Sequence, residues 1–158
     1  MAKSVTAGLL KVGVLVAACI IVVRIVLEQL GAPESINNAF GVAWLYIIFS
    51  VLFALRIGKS GESAPYKALF KSLLLFSVYT RLMVIPTYML AYLLNWQASR
   101  FSTKMGGNVG PDVDTLSGLF LIPLRNAFIW IVMATVIGMI IGGGVILVRK
   151  RRLEASPE

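Results

Sequence analysis

Histidine is absent from this chain of 158 residues, and cysteine occurs only once, as Cys19. Without histidine the chain lacks the commonest zinc ligand, the usual axial ligand of haem and the usual general base of hydrolases. With a single cysteine it cannot form an internal disulfide, and no second thiol is present to resolve a catalytic one. We therefore predict no metal and no other cofactor, and we expect a protein that is not an enzyme.

Charged residues are also scarce, at 14% of the chain, whereas hydrophobic residues make up 58%. This composition is too apolar for a soluble domain of such length. A helix that crosses a membrane needs about 20 predominantly apolar residues, and four segments meet that length: residues 7–30, 39–57, 68–94 and 116–148. Because the connections are short, we predict an all-α integral membrane protein with four transmembrane helices in one domain, residues 1–158.

The basic residues predict the orientation of these helices. One predicted surface carries most of them: Lys3, Lys11, Arg56, Lys59, Lys67, Lys71, Arg149, Lys150, Arg151 and Arg152. By the positive-inside rule, we predict that both termini and the middle loop are cytoplasmic. A basic cluster directly after a spanning helix is typical of contact with anionic lipids, so no nucleic-acid partner is predicted. Size and charge bias favour a bacterial inner membrane.

Small residues at four-residue spacing predict close helix packing. Gly13 and Ala17 share one face of the first helix, and the last helix has a similar face formed by Ala134, Gly138 and Gly142. Such faces let the backbone of a neighbouring helix approach closely. Packing within one chain and packing between two copies both fit this spacing.

Cys19 follows small residues at positions 16–18, a pattern that precedes the lipidated cysteine of bacterial lipoproteins. The surroundings argue against a signal peptide, because Lys11 interrupts the apolar stretch and residues 20–23 remain apolar. We expect a small buried cysteine that packs like alanine, with lipidation as the alternative.

The last predicted helix is longer than a span requires, and Pro123 lies in its first part. We expect residues 116–124 to form a separate interfacial or re-entrant segment, with the membrane span at residues 126–148. Side-chain oxygens and negative charge just before this segment would cap its N-terminus. The residues that supply them are Asp112, Asp114 and Thr115.

Arg81 lies within an apolar run, roughly 15 Å along a helix from Lys71 and roughly 22 Å from Trp96. A charge at this depth costs from about 3 to above 10 kcal/mol, so the side chain should face the protein interior, a water-filled cavity or a partner. A polar stripe shares its helical face; its other members are Ser77, Tyr88, Tyr92 and Asn95.

Glu28 is the only acidic residue expected at membrane depth, and its predicted partner is Arg24 at i,i+4. This pairing leaves Arg81 without an internal counter-ion. We therefore predict a positive region that binds an anionic group or a partner's acid, formed by Arg24, Arg81, Arg125, Asn126, Tyr88 and Tyr92. The structural alternative is that Arg81 binds helix carbonyl groups and tyrosine hydroxyls.

Together these features predict a non-catalytic accessory or scaffold subunit of a larger membrane complex. The alternative is an oligomeric transporter, a channel-like protein or a lipid-binding protein that recognises an anionic group through Arg81. Its partners would be other membrane subunits, further copies of the chain, and anionic lipids. A membrane enzyme is a third hypothesis, in which acidic residues bind Mg²⁺ and basic residues bind a phosphate; these are Asp112, Asp114, Arg100 and Lys104.

Overall fold

The computed structural model describes residues 5–154. Its α-helices are α1 (Ala7–Gln29), α2 (Glu34–Ala39), α3 (Ala43–Lys59), α4 (Pro65–Leu93) and α5 (Ile122–Glu154). The all-helical prediction is confirmed for this part of the chain. The first and last four residues of the predicted domain, with Lys3, lie outside the described residues.

Four helical segments are long and apolar enough to cross a membrane: Ala7–Gln29, Glu34–Lys59, Pro65–Leu93 and Ser117–Arg152. Their length and composition indicate a multi-pass membrane protein. The second segment contains both α2 and α3. The longest connection, between α4 and the last segment, contains two short 3₁₀ turns, Ser99–Phe101 and Thr103–Met105.

The helix ends follow local backbone preferences. Gly31 and Gly61 follow α1 and α3 with φ angles of +72° and +67°, in the left-handed region that glycine adopts without steric cost. Pro65 occupies the first turn of α4, where its missing N–H is not needed. α4 continues through Pro86 to Leu93.

The last of these four segments differs from the prediction at its start. A π-helical stretch, Ser117–Leu121, runs directly into α5, and Pro123 lies in the first turn of α5. The helical path is thus continuous from Ser117 through Pro123, so the expected separation of residues 116–124 is wrong. The predicted cap is confirmed for Asp114, whose Oδ1 accepts the Ser117 N–H at 3.0 Å. Hydrogen bonds from Ser117 hold the pKa of the exposed Asp114 carboxyl below its usual value.

The core is centred on an aromatic cluster from α3 and α4. Phe76 packs against Tyr46, Phe49 and Phe53 with ring centroids 5.7, 5.0 and 6.1 Å away. Such tilted and edge-on arrangements are favoured by the ring quadrupoles. α1 and α5 close around this cluster with small and aliphatic side chains, among them Ala17, Ala134 and Ile146.

The small residues lie where helices approach one another. A Cβ atom on Gly13 would lie 2.7 Å from the Phe49 ring, and one on Gly138 would lie 2.9 Å from Leu73. On Gly142 it would lie 2.9 Å from the backbone oxygen of Ser50. The structure thus places the small faces of α1 and α5 in contacts within the chain.

Cys19 is exposed on α1, so the expectation of a buried cysteine is wrong. The buried residues of α1 are Gly13, Ala17 and Ile21, which form a single stripe at four-residue spacing. Cys19 lies two positions from this stripe, and two positions turn the side chain through about 200°.

A methyl group at Gly142 is expected to destabilise the bundle, because the Ser50 backbone oxygen cannot rotate away from it. At Gly144 a Cβ atom would meet nothing within 4 Å. We expect Gly142→Ala to lower the free energy of unfolding by about 1–3 kcal/mol, while Gly144→Ala leaves it unchanged or raises it slightly. Thermal unfolding in detergent, followed by tryptophan fluorescence, measures both variants. Equal unfolding midpoints would contradict the close approach of α5 to α3.

Candidate anion-binding cavity

An open cavity of about 320 Å³ lies among α1, α2 and its turn to α3, α4, α5 and the connection after α4. Three arginines line it: Arg24 from α1, Arg81 from α4 and Arg100 from the first 3₁₀ turn. The other lining groups are polar, aromatic or aliphatic, and include Asn38, Val84, Tyr88 and Trp130. The cavity therefore combines apolar walls with several cationic groups.

Arg81 is the most deeply placed of these arginines, with 7% of its surface exposed. Its guanidinium carbon lies 4.8 Å from the ring centroid of Trp130 and 5.6 Å from that of Tyr46, within the range of cation–π attraction. None of the described carboxylates forms an ion pair with it. Aromatic rings stabilise the guanidinium here, but they do not neutralise its charge.

Several buried polar atoms around Arg81 lack a hydrogen-bond partner in the described part of the chain. They are the Arg81 Nε and the hydroxyls of Tyr46, Ser77 and Thr80. The Nε therefore has no hydrogen bond to a helix carbonyl or a tyrosine hydroxyl, whereas the Tyr46 hydroxyl interacts electrostatically with the guanidinium, which is in line with the structural alternative. Buried polar atoms are nearly always paired, so this cluster has donor capacity that a ligand or ordered water would complete.

Glu28 links the other two arginines. Its Oε1 accepts from Arg24 Nε at 2.9 Å, which confirms the predicted i,i+4 pair. Arg100 donates two hydrogen bonds to Oε2 of the same carboxylate, from Nε at 3.1 Å and from Nη2 at 2.9 Å, and its Nε lies 2.8 Å from Oε1. Only 2% of the Glu28 side chain is exposed. The carboxylate is thus fully occupied by Arg24 and Arg100, and Arg81 is left uncompensated.

Arg100 was not predicted as part of this site, because it lies 72 positions from Glu28 in the sequence. The first 3₁₀ turn brings it to the cavity, and Phe101 anchors that turn by packing against Tyr88, with ring centroids 5.0 Å apart. The Arg100 guanidinium also lies 4.2 Å from the Phe101 ring centroid. Burial lowers the pKa of Arg100 from its usual value, while the charge of Glu28 opposes that shift.

The predicted site residues divide into two groups. Arg24, Arg81 and Tyr88 line the cavity, whereas the others do not. Tyr92 donates a hydrogen bond to the Val113 carbonyl at 3.1 Å, and Asn126 donates one to the Gly106 carbonyl at 3.0 Å. Both therefore hold the connection after α4 in place. Arg125 is exposed on α5, about 100° around the helix from Asn126.

The residues of the enzyme hypothesis do not form a buried site. Asp112, Asp114 and Lys104 are exposed, while Arg100 is bound to Glu28. No group of three or more residues that could hold a metal ion occurs among residues 5–154.

No protein-family model, curated protein sequence or solved structure matches this chain. The functional argument therefore rests on the geometry of the cavity.

Glu28→Gln is expected to destabilise the protein, because it keeps the size of the side chain but leaves Arg24 and Arg100 without their shared negative charge. Breaking a buried ion pair from one side costs about 3 kcal/mol. The unfolding midpoint should fall, and trypsin should cleave faster after Arg100 as the first 3₁₀ turn loses its contact with α1. Mass spectrometry of the tryptic fragments measures the cleavage.

Glu34→Gln, which neutralises an exposed carboxylate at the start of α2, is the matched control and should change neither measurement. The double variant Glu28→Gln/Arg100→Gln should be more stable than the sum of the two single effects predicts, because the two residues interact directly. Additive effects, or an unchanged midpoint for Glu28→Gln, would contradict the bridging role of Glu28.

Proposed function

We propose that this protein is a non-catalytic membrane protein that binds an anionic group in the cavity at Arg81. The observation that carries the proposal is a buried guanidinium with an unpartnered Nε and no carboxylate partner among the described residues. An uncompensated charge in a low-dielectric environment is costly. A bound anion offsets that cost, so we expect the site to bind a negatively charged group.

The charge of the cavity supports an anion over a cation or a neutral ligand. Three guanidinium groups line the cavity, and the one carboxylate beside it belongs to Glu28. This carboxylate already accepts two hydrogen bonds from Arg100. Arg81 has a planar donor geometry that suits phosphate and carboxylate groups. A volume of about 320 Å³ lies at the lower end of the range for small-molecule sites, so the site suits a small anion or one lipid head group.

The surroundings of Arg81 favour binding over conduction. On one side the guanidinium stacks on Tyr46, and the Tyr46 ring packs directly against Phe76 of the aromatic core. This core lies between the cavity and the ends of α3 and α4 that carry Lys59 and Lys67. A tightly packed aromatic cluster offers no path for an ion, so a transport function would require a second conformation.

The proposed orientation follows from the basic residues. Both termini and the connection between α3 and α4 would face the cytoplasm of a bacterial cell, and the basic ends of the helices would contact anionic lipids. The arginine cavity would then open towards the outer half of the membrane.

An accessory subunit is the second candidate function, and the exposure of Trp130 favours it. Trp130 is 42% exposed and forms the cation–π contact with Arg81. A carboxylate on a neighbouring membrane subunit would reach the guanidinium past this ring. A bound anion and a carboxylate of a partner subunit would both pair with the Arg81 guanidinium, so experiments must distinguish the two.

Arg81→Met tests the binding function, because it removes the charge and keeps an apolar side chain of similar length. We expect the ligand-free variant to unfold at a higher temperature than the wild type, since the cost of the buried charge is gone. At a hundred times its dissociation constant for this cavity, inorganic phosphate or phosphatidylglycerol should stabilise the wild type by about 2.7 kcal/mol more than it stabilises the variant. Thermal unfolding in a neutral detergent at constant ionic strength measures both effects.

Lys11→Met, which removes the same charge from an exposed position on α1, is the control and should respond to both probes like the wild type. A difference between the wild type and Arg81→Met with inorganic phosphate indicates a soluble anion, and a difference with the lipid alone indicates a head group. An Arg81→Met variant that is less stable than the wild type and responds to both probes as strongly would overturn the proposal.

Native mass spectrometry after gentle extraction from the native membrane tests the accessory-subunit function. A stoichiometric partner subunit should accompany the wild type and the Lys11→Met variant, and should be lost from Arg81→Met. A wild-type protein that appears alone, or only with copies of itself, contradicts this second function.

A further inference from the structure

A second recess lies far from the arginine cavity, on the surface between α3 and α5. It is a groove of about 650 Å³ near the basic C-terminal end of α5, with apolar walls formed by Leu55, Ile141, Val145 and Val148. Gly144 lies in the groove, and a Cβ atom there would meet nothing within 4 Å. The missing side chain thus leaves open space next to the aliphatic walls.

Two arginines stand at one end of this groove. Arg149 and Arg152 both line it and are spaced i,i+3 on α5, so they share one helical face. The Arg149 Nε is buried and has no hydrogen-bond partner in the described part of the chain. The stem of Arg149 packs closely over Gly58 of α3, where a Cβ atom would lie 2.9 Å from the Arg149 Cδ. Packing against α3 therefore holds this guanidinium in place.

We propose that the groove binds one anionic glycerophospholipid, with an acyl chain along the apolar walls and the phosphate on Arg149 and Arg152. The charge of the two arginines complements a phosphodiester, which accepts hydrogen bonds from guanidinium groups in a bidentate manner. The aliphatic walls stabilise a hydrocarbon chain and would add nothing to the binding of free phosphate. A lipid has both an acyl chain for the apolar walls and a phosphate for the two arginines.

This site is independent of the arginine cavity. Arg149 is 19 positions from Trp130 in the same helix, which separates them by about 28 Å along the axis. A substitution that impairs one site should therefore leave the other site unaffected, so variants at each site test the two proposals separately.

The test is a titration of the lipid-stripped full chain in detergent with phosphatidylglycerol, and with phosphatidylcholine of the same acyl chains, followed by native mass spectrometry. We expect one tightly bound phosphatidylglycerol and weaker phosphatidylcholine. Arg152→Ala should weaken phosphatidylglycerol binding roughly fivefold, the effect of one basic residue near a lipid phosphate. Gly144→Leu should fill the groove and remove the bound lipid of either kind.

The matched controls are Arg151→Ala, which removes a neighbouring charge outside the groove, and Gly8→Leu, which adds the same side chain at another position with no atom within 4 Å. Both should bind phosphatidylglycerol like the wild type, and Arg81→Met should keep the bound lipid that Gly144→Leu loses. An equal loss in Arg151→Ala, or full binding in Gly144→Leu, would overturn the proposal. A dimer that Gly144→Leu abolishes, without any bound lipid in the wild type, would identify the groove as a contact between two copies instead.

Discussion

The burial of the Arg81 guanidinium in an apolar helical bundle is the constraint on which the site depends. The charge lies against the rings of Tyr46 and Trp130, and the described residues provide it with no carboxylate. Cation–π contacts offset only part of the cost of removing such a charge from water. The remaining cost makes the position unfavourable when empty and favourable when an anion is bound.

Glu28 determines how the other charges of the cavity are arranged. Without it, Arg24 and Arg100 would repel each other and Arg81. With it, one carboxylate of α1 binds Arg24 in the same helix and holds the distant 3₁₀ turn through two hydrogen bonds from Arg100. The same pairing makes Glu28 inaccessible to Arg81, so the element that stabilises the cavity also preserves its net positive charge.

The two ends of the bundle use arginine in different ways. At the cavity, Arg81 is enclosed by aromatic side chains and faces a confined volume, which favours a compact anion. At the groove beside α5, Arg149 and Arg152 stand next to an apolar surface, which favours an amphipathic ligand. The same functional group would therefore serve the two proposed kinds of recognition because the apolar surroundings differ.

The helical class, the four apolar segments, the burial of Arg81 and the Arg24–Glu28 pair could be predicted from the sequence. These properties depend on composition and on local spacing along one helix, which the order of residues encodes directly. The fold was needed to show that Arg100 joins the site, that Arg125 stays outside it, that Cys19 is exposed and that Pro123 lies within a continuous segment. Such features depend on how helices rotate about their axes and on where a connection folds back, and those are fixed by packing between residues that are far apart in the chain.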